Sequence, residues 1–430
     1  MPPDPTAPPD TVEDDPGGRT ARQIVIVVLI AAVVPFLYAL NAPHHFFDLK
    51  IYVSATRWWA AGNPLYDYVQ ADDVQGELYF TYPPFTALLL RPFADLRIGA
   101  TVALFTTLTA LALVVTTWWL VSPVARRHGV SRWFAAGLAV PLVFAVESTR
   151  ETILFGQINM LLVVLVLADL LFAVPRKSRW AGVGIGLATA IKLYPGIFIV
   201  YLLATRRWRA ALVASATAAG ATLLAAAIAP GDSWRFWTHE LWLTDRVGRP
   251  DYTGNQSLYG LLSRFTTPER PHQLLWLLLV VAIAGYGLWR AARAARAGDV
   301  VAGLTLTGLV GILVSPITWP HHAYWFIPAL VVLVDVGLRR PDPAAGPPGR
   351  RRRIALLALS ALVTVVIVYG VVSYYDWGRD FDRTNAPGEF LLRNLYVLLA
   401  LLLLVVLPIR PNATEPRAEP VEPRREPSVR

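Results

Sequence analysis

The chain has 430 residues, 55% hydrophobic and only 16% charged, with a mean hydropathy of +0.46, a balance that excludes an ordinary water-soluble domain. Its formal charge of +9 comes from arginine clusters abutting hydrophobic runs, which is topology information and excludes a nucleic-acid footprint. Cysteine is absent, which excludes a disulfide framework and a thiolate metal site.

Residues 1–20 are rich in Pro and Asp, cannot form a core and read as a disordered tail; residues 409–430, with Pro, Glu and Arg, read as a second. Between them, residues 21–408 carry apolar runs suited to crossing a ~30 Å hydrocarbon core, which takes about 20 helical residues. Basic residues stay on the cytoplasmic side of short loops, so the clusters orient the runs. The first helix, residues 23–40, runs outward and is followed by a long aromatic outer segment, residues 41–97. Within that segment, residues 82–93 are too few to span and read as an interfacial helix.

Further spans are expected at residues 98–121, 133–146, 158–174, 209–228, 273–290, 300–314, 323–337, 354–373 and 390–407. Residues 180–205 need a different treatment. As one span they would leave either Arg176-Lys177-Ser178-Arg179 or Arg206-Arg207-Trp208-Arg209 outside. Two short helices meeting at Lys192-Leu193-Tyr194-Pro195 keep both clusters inside, with proline marking the break. The expectation is an all-α polytopic membrane protein of about twelve helices with both ends cytoplasmic. Its outer loops are residues 41–97, 230–272 and 374–389, with shorter ones at 147–159 and 315–322.

The chemistry-bearing residues fall in these outer loops. Asp48 sits just beyond the first helix beside Phe46, Phe47 and Tyr52, which desolvate it and make it a stronger base; a salt bridge to Lys50 or Arg57 is the plainer reading. His321 and His322, flanked by Pro316, Trp319 and Pro320, suit a proton carrier or a phosphate donor, or simply interfacial packing. Adjacent residues point different ways on a helix, which disfavours a metal there. Arg150, Lys192 and Arg264 are cations on the same face that need an anion; a substrate phosphate competes with Glu147, Glu151 or Asp251. Gln157, Asn159, Asn255 and Gln256 stand beside glycines at loop-helix junctions, fitted to hydroxyl-rich ligands or to helix capping. Trp58, Trp59, Trp234, Trp237, Trp242 and Trp319 could stack on sugars or form an interfacial belt.

Six motifs occur in order from Phe47 to Trp325. They are Phe47-Asp48-Leu49-x-x-Tyr52-Val53, Phe80-Thr81-Tyr82-Pro83-Pro84-Phe85, Gly156-Gln157-Ile158-Asn159, Lys192-Leu193-Tyr194-Pro195, Asn255-Gln256-Ser257 and Ser315-Pro316-x-x-Trp319-x-His321-His322. Together they resemble the actinobacterial polyprenyl-phosphate-mannose-dependent α-1,2-mannosyltransferases, glycosyltransferase family 87 with the GT-C type of membrane fold. The resemblance implies Asp48 as the residue on which transfer depends and His321 and His322 as active-site residues, with Tyr52 and Tyr82 among the motif residues at the substrate. It implies a polyprenyl-phosphate-mannose donor, a glycolipid acceptor such as a phosphatidylinositol mannoside or lipomannan, membrane lipids as surroundings, and inversion at the transferred sugar. The site would face outward from the plasma membrane and require no metal or other cofactor. Two alternatives stand beside it: an arabinofuranosyltransferase with a polyprenyl-phosphate-arabinose donor, and a lipid-linked sugar flippase, which would place its charges at mid-membrane depth.

Overall fold

A computed structural model of the protein describes residues 16–40, 45–72, 76–339, 346–370 and 386–411. Most of both expected tails, and the outer segment 374–389 up to residue 385, lie outside the described residues. What is described is overwhelmingly helical, as hydrocarbon requires: a helix satisfies every backbone N–H and C=O within its own segment.

Helix α1 (Pro16–Leu40) begins with proline in its first turn, where no backbone N–H is needed. The outer segment then folds as α2 (Phe47–Ala60), a hairpin of β1 (Val69–Asp72) and β2 (Gly76–Tyr79), and the short α3 (Pro84–Leu90). The two strands pair antiparallel with Val69 opposite Tyr79. Next come α4 (Ile98–Arg127), α5 (Arg132–Ala145), α6 (Glu147–Phe155) and α7 (Asn159–Ala168), the last continued by a π-helical turn. Helices α8 (Val183–Ile191) and α9 (Ile197–Ala204) are separated at Lys192, whose backbone is extended, so the break falls where the charge clusters demanded one.

The remainder consists of α10 (Trp208–Ile228), α11 (Pro230–Thr238), α12 (Leu258–Thr266), α13 (Gln273–Arg296), α14 (Val300–Val314), α15 (Phe326–Leu338), α16 (Gly346–Tyr369), α17 (Pro387–Arg393) and α18 (Leu395–Val406). Among the described residues, five helices are long and apolar enough to cross a membrane, or six if the bent pair α17 and α18 is one span. Shorter apolar helices occupy several of the other expected runs, including Arg132–Ala145, Asn159–Ala173 and Val300–Val314.

Helix α14 is buried on all sides from Ala302 to Leu313 and forms the centre of the bundle. By contrast, α10 and α13 expose Leu212, Leu223, Leu274, Leu278 and Val281, a surface that belongs against lipid tails. At one end of the bundle, Asp299 before α14 and Asp335 in α15 are fully buried and meet Arg410, itself 2% exposed. Arg410 pairs with Asp299 at 2.5 Å and Asp335 at 2.8 Å, while Arg127 and His128 reach Asp335 at 2.7 and 2.9 Å. This ion network ties the chain after α18 to α4, α14 and α15, with Arg410, expected in the tail, at its centre. Exposed Trp133, Trp180 and Trp208 stand beside arginines at helix ends, the pattern of an interfacial belt.

Candidate active site

The opposite end of α14 opens into a cavity of about 540 Å³. Its walls come from α2, the segment after β2, the end of α6, the break between α8 and α9, the 236–247 segment and residues 311–322. Asp48, Tyr52, Tyr82, Gln157, Lys192, Trp319, His321 and His322 all line it, although they are up to 274 positions apart in the chain.

Asp48 lies in the first turn of α2, partly buried. Its place is set by a close crossing of α2 and α6. Gly156 ends α6 in the left-handed conformation (φ 71°), and a Cβ there would stand 2.6 Å from Leu49 Cβ, so glycine is required on both counts. Phe46 N–H donates to Leu154 O at 2.9 Å across the same crossing. Gln157 follows immediately and its Nε2 donates to Asp48 Oδ2 at 2.5 Å. Arg57, weighed above as an ion-pair partner, donates to the carbonyls of Ala94 and Leu96 at 2.6 and 2.5 Å.

A hydrogen-bonded chain leads on from Gln157. Tyr82 Oη donates to Gln157 Oε1 at 3.3 Å and shares a 2.5 Å hydrogen bond with Tyr52 Oη. Burial pushes both phenols above their ordinary range, with Tyr82 and Asp48 adding to it at Tyr52 and Asp48 adding to it at Tyr82, so both remain protonated donors. Lys192 Nζ donates to Tyr82 Oη at 3.0 Å and to Asn159 Oδ1 at 3.1 Å. Both hydrogen-bond partners are neutral; burial lowers the ammonium's pKa to about 7, and the Asp48 carboxylate works against that fall.

The histidines sit on the short 3₁₀ segment Pro320–Trp325. Trp319 N–H donates to His322 Nδ1 at 3.0 Å, so Nδ1 is an acceptor and the proton of a neutral ring is on Nε2. That Nε2 is shielded from solvent and has no hydrogen-bond partner among the described residues. A buried donor of this kind has a place for a ligand oxygen. His321 packs edge-on against it, ring centroids 4.5 Å apart, and Asn159 Nδ2 donates to His321 O at 3.2 Å.

Five expected site residues do not line the cavity; they stand behind its wall. Asn255 Nδ2 donates to the carbonyls of Pro250 and Pro316 at 3.0 and 3.1 Å, and its Oδ1 accepts from Thr318 N at 2.9 Å. Gln256 N–H donates to Thr318 O at 2.7 Å, while its side chain bonds Thr253 O, Arg393 O and Tyr396 N. Arg264 donates to Tyr252 O at 2.8 Å, Asn255 O at 3.1 Å and Asn394 Oδ1 at 2.6 Å, so protein oxygens occupy the cation expected on a phosphate. Arg150 donates to Ala145 O and, at 2.8 Å, to Val368 O. Asn159 also stands behind the wall, holding Lys192. Gly254 leaves room for the Trp319 indole, which a Cβ would approach to 3.0 Å.

Sequence reading missed the cavity's other end. Arg246 pairs with Glu240 at 2.7 Å, donates to Tyr66 O at 2.9 Å and lies 4.1 Å over the Tyr79 ring. Arg235 joins the same Glu240 at 2.6 Å and Asp67 at 2.5 Å. The only signal in the sequence was a Glu six residues before an Arg, in a segment without helical period. Glu151 also lines the cavity, 1% exposed. Among the described residues no group of three or more His, Asp, Glu or Cys is placed to hold a metal ion.

Comparison with known proteins places the sequence in a family. A solved structure of ArnT from Cupriavidus metallidurans bound to undecaprenyl phosphate covers 89% of this chain and 77% of its own, at 18% identity and a TM-score of 0.32, too distant to guide the geometry. A polyprenol-phosphate-mannose-dependent alpha-(1-2)-phosphatidylinositol mannoside mannosyltransferase of Mycobacterium tuberculosis is 34% identical, over 74% of each chain. A phosphatidylinositol pentamannoside mannosyltransferase of Mycolicibacterium smegmatis with the same donor is 31% identical, over 77% of this chain and 79% of its own. The model of glycosyltransferase family 87 matches residues 80–316, which include the Tyr82, Gln157 and Lys192 wall of the cavity. The chain therefore belongs to glycosyltransferase family 87.

Proposed function

We propose that this glycosyltransferase moves mannose from polyprenyl-phosphate-mannose onto a phosphatidylinositol-mannoside acceptor, forming an α-1,2 linkage at the outer face of the plasma membrane, in a GT-C-type bundle of about twelve crossings. The observation that carries this reading is the convergence of Asp48, Lys192 and His322 on one cavity, at the end of α14 away from the Asp299 ion network. Nucleotide sugars are not available outside the membrane, so a site facing that way needs a lipid-carried donor. The names of the mycobacterial relatives supply that donor and the acceptor class.

In the reaction an acceptor hydroxyl attacks the anomeric carbon of the donor. A bond from that carbon to the acceptor oxygen forms as its bond to the phosphate oxygen breaks. The hydroxyl proton passes to Asp48, and the polyprenyl phosphate leaves with the bonding pair. One displacement from a β-linked donor gives an α-linked product, so a single base suffices. Gln157 holds the carboxylate in place, a positioning role. Lys192 and His322 Nε2–H face the phosphate and stabilise the charge that builds on it. Arg264, Asn255 and Gln256 act at one remove, by fixing the loop that carries Trp319 and the histidines.

The test is transfer of labelled mannose by membranes containing the protein. Polyprenyl-phosphate-mannose and a phosphatidylinositol mannoside should give a labelled lipid whose terminal mannose is released by an α-1,2-specific mannosidase. Label arriving only from polyprenyl-phosphate-arabinose, or donor crossing the membrane without product, would overturn the reading.

A further inference from the structure

The Glu240–Arg246 end of the cavity has no part in the displacement just described, yet it is built with care. Two cations, Arg235 and Arg246, alternate with two carboxylates, Asp67 and Glu240, across the start of the hairpin and the 235–247 segment. Glu240 keeps 4% of its side chain exposed and Arg246 17%, so the cation's edge reaches the cavity while its carboxylate is sealed behind it. The four charges cancel, so this end has no demand for an anion. It offers the N–H donors of Arg246 beside the aromatic walls of Tyr79, Phe80 and Phe236. Paired polar groups on aromatic walls match a neutral sugar, whose ring has an apolar face and a rim of hydroxyls.

Position agrees with composition. Arg246 lies over Tyr79, whereas Tyr82 carries Lys192 and Gln157. Three residues of chain keep the backbones of those tyrosines within about 10 Å of each other, so a short glycan can reach from one end towards the other. Resting on the mannosyl-transfer reading, we propose that Arg246 and Glu240 form an acceptor subsite for a sugar unit next to the one that receives mannose. The protein therefore prefers an acceptor of at least two linked sugars, and Arg246 is a residue that sets that preference.

The experiment uses the full chain in membranes, with polyprenyl-phosphate-mannose as donor and two acceptors, an octyl α-monomannoside and an octyl α-dimannoside. The wild type should use the dimannoside with a kcat/KM about 10- to 100-fold higher, the discrimination expected of hydrogen bonds to a charged group. Arg246→Ala should raise the dimannoside KM and shrink that ratio toward one, without moving the donor KM. Arg246→Lys, which keeps the charge beside Glu240 but loses the fork, should fall between and decides the matter if the alanine variant does not accumulate. Equal losses on both acceptors, a shifted donor KM, or a wild type indifferent to acceptor length would overturn the subsite alone. A wild type that labels neither acceptor nor a phosphatidylinositol mannoside would instead overturn the transfer reading beneath it, and the subsite with it.

Discussion

The two ends of the cavity hold their cations in different ways. At one end Lys192 is held by a phenol and an amide, with the Asp48 carboxylate acting on it through space, and the neutral His322 presents a buried nitrogen with no hydrogen-bond partner among the described residues. At the other end every arginine meets a carboxylate within 2.7 Å. Breaking a buried ion pair costs several kcal/mol, so a cation held only by neutral donors and a carboxylate at a distance is freer to meet a ligand than one locked in a close pair. In the proposed reading the first end takes the phosphate and the second the neutral glycan.

That contrast can be broken in several ways. Lys192→Met removes the cation proposed to meet the phosphate while keeping the length of the side chain, and should lower kcat by about 10²- to 10³-fold in the membrane transfer assay, as loss of a transition-state donor does. A smaller drop of about 10- to 10²-fold is expected for His322→Phe, seen as a lower kcat with the acceptor KM unmoved. Both changes should weaken product inhibition by polyprenyl phosphate, which Arg246→Ala should leave alone. Tyr82→Phe takes one hydrogen bond from Lys192 and one from Gln157 and should cost about tenfold in kcat. Last, Gly156→Ala strains the α2–α6 crossing by about 1–3 kcal/mol and should be seen first as a lower melting temperature of the detergent-solubilised protein.

Much of this architecture was legible in the sequence because hydrocarbon imposes a strict code. Apolar length fixes helices, and arginine clusters forced the break at Lys192 that brings this cation to the cavity. Asp48, Gln157, Tyr52, Tyr82, Trp319 and the histidines, which the fold brings to one cavity, were singled out through motifs whose spacing survives in a single chain. The errors share one cause. An amide beside a glycine reads alike whether it faces a ligand, as Gln157 does, or staples a loop, as Asn255 does; only the fold says which carbonyls lie within reach. Arg264 and Arg150 looked like cations in want of an anion, but backbone oxygens answer them, and backbone leaves no trace in composition. Arg246 was passed over for the converse reason, since its partners come from the hairpin and from a loop without period.

The most direct test of the central claim is Asp48→Asn, which keeps the side chain's size while removing the base. Membranes carrying this variant should still bind polyprenyl-phosphate-mannose with the wild-type affinity but transfer mannose about 10²- to 10⁴-fold more slowly, the range of a lost general base. Transfer at the wild-type rate, with the variant present at the wild-type level, would contradict the account.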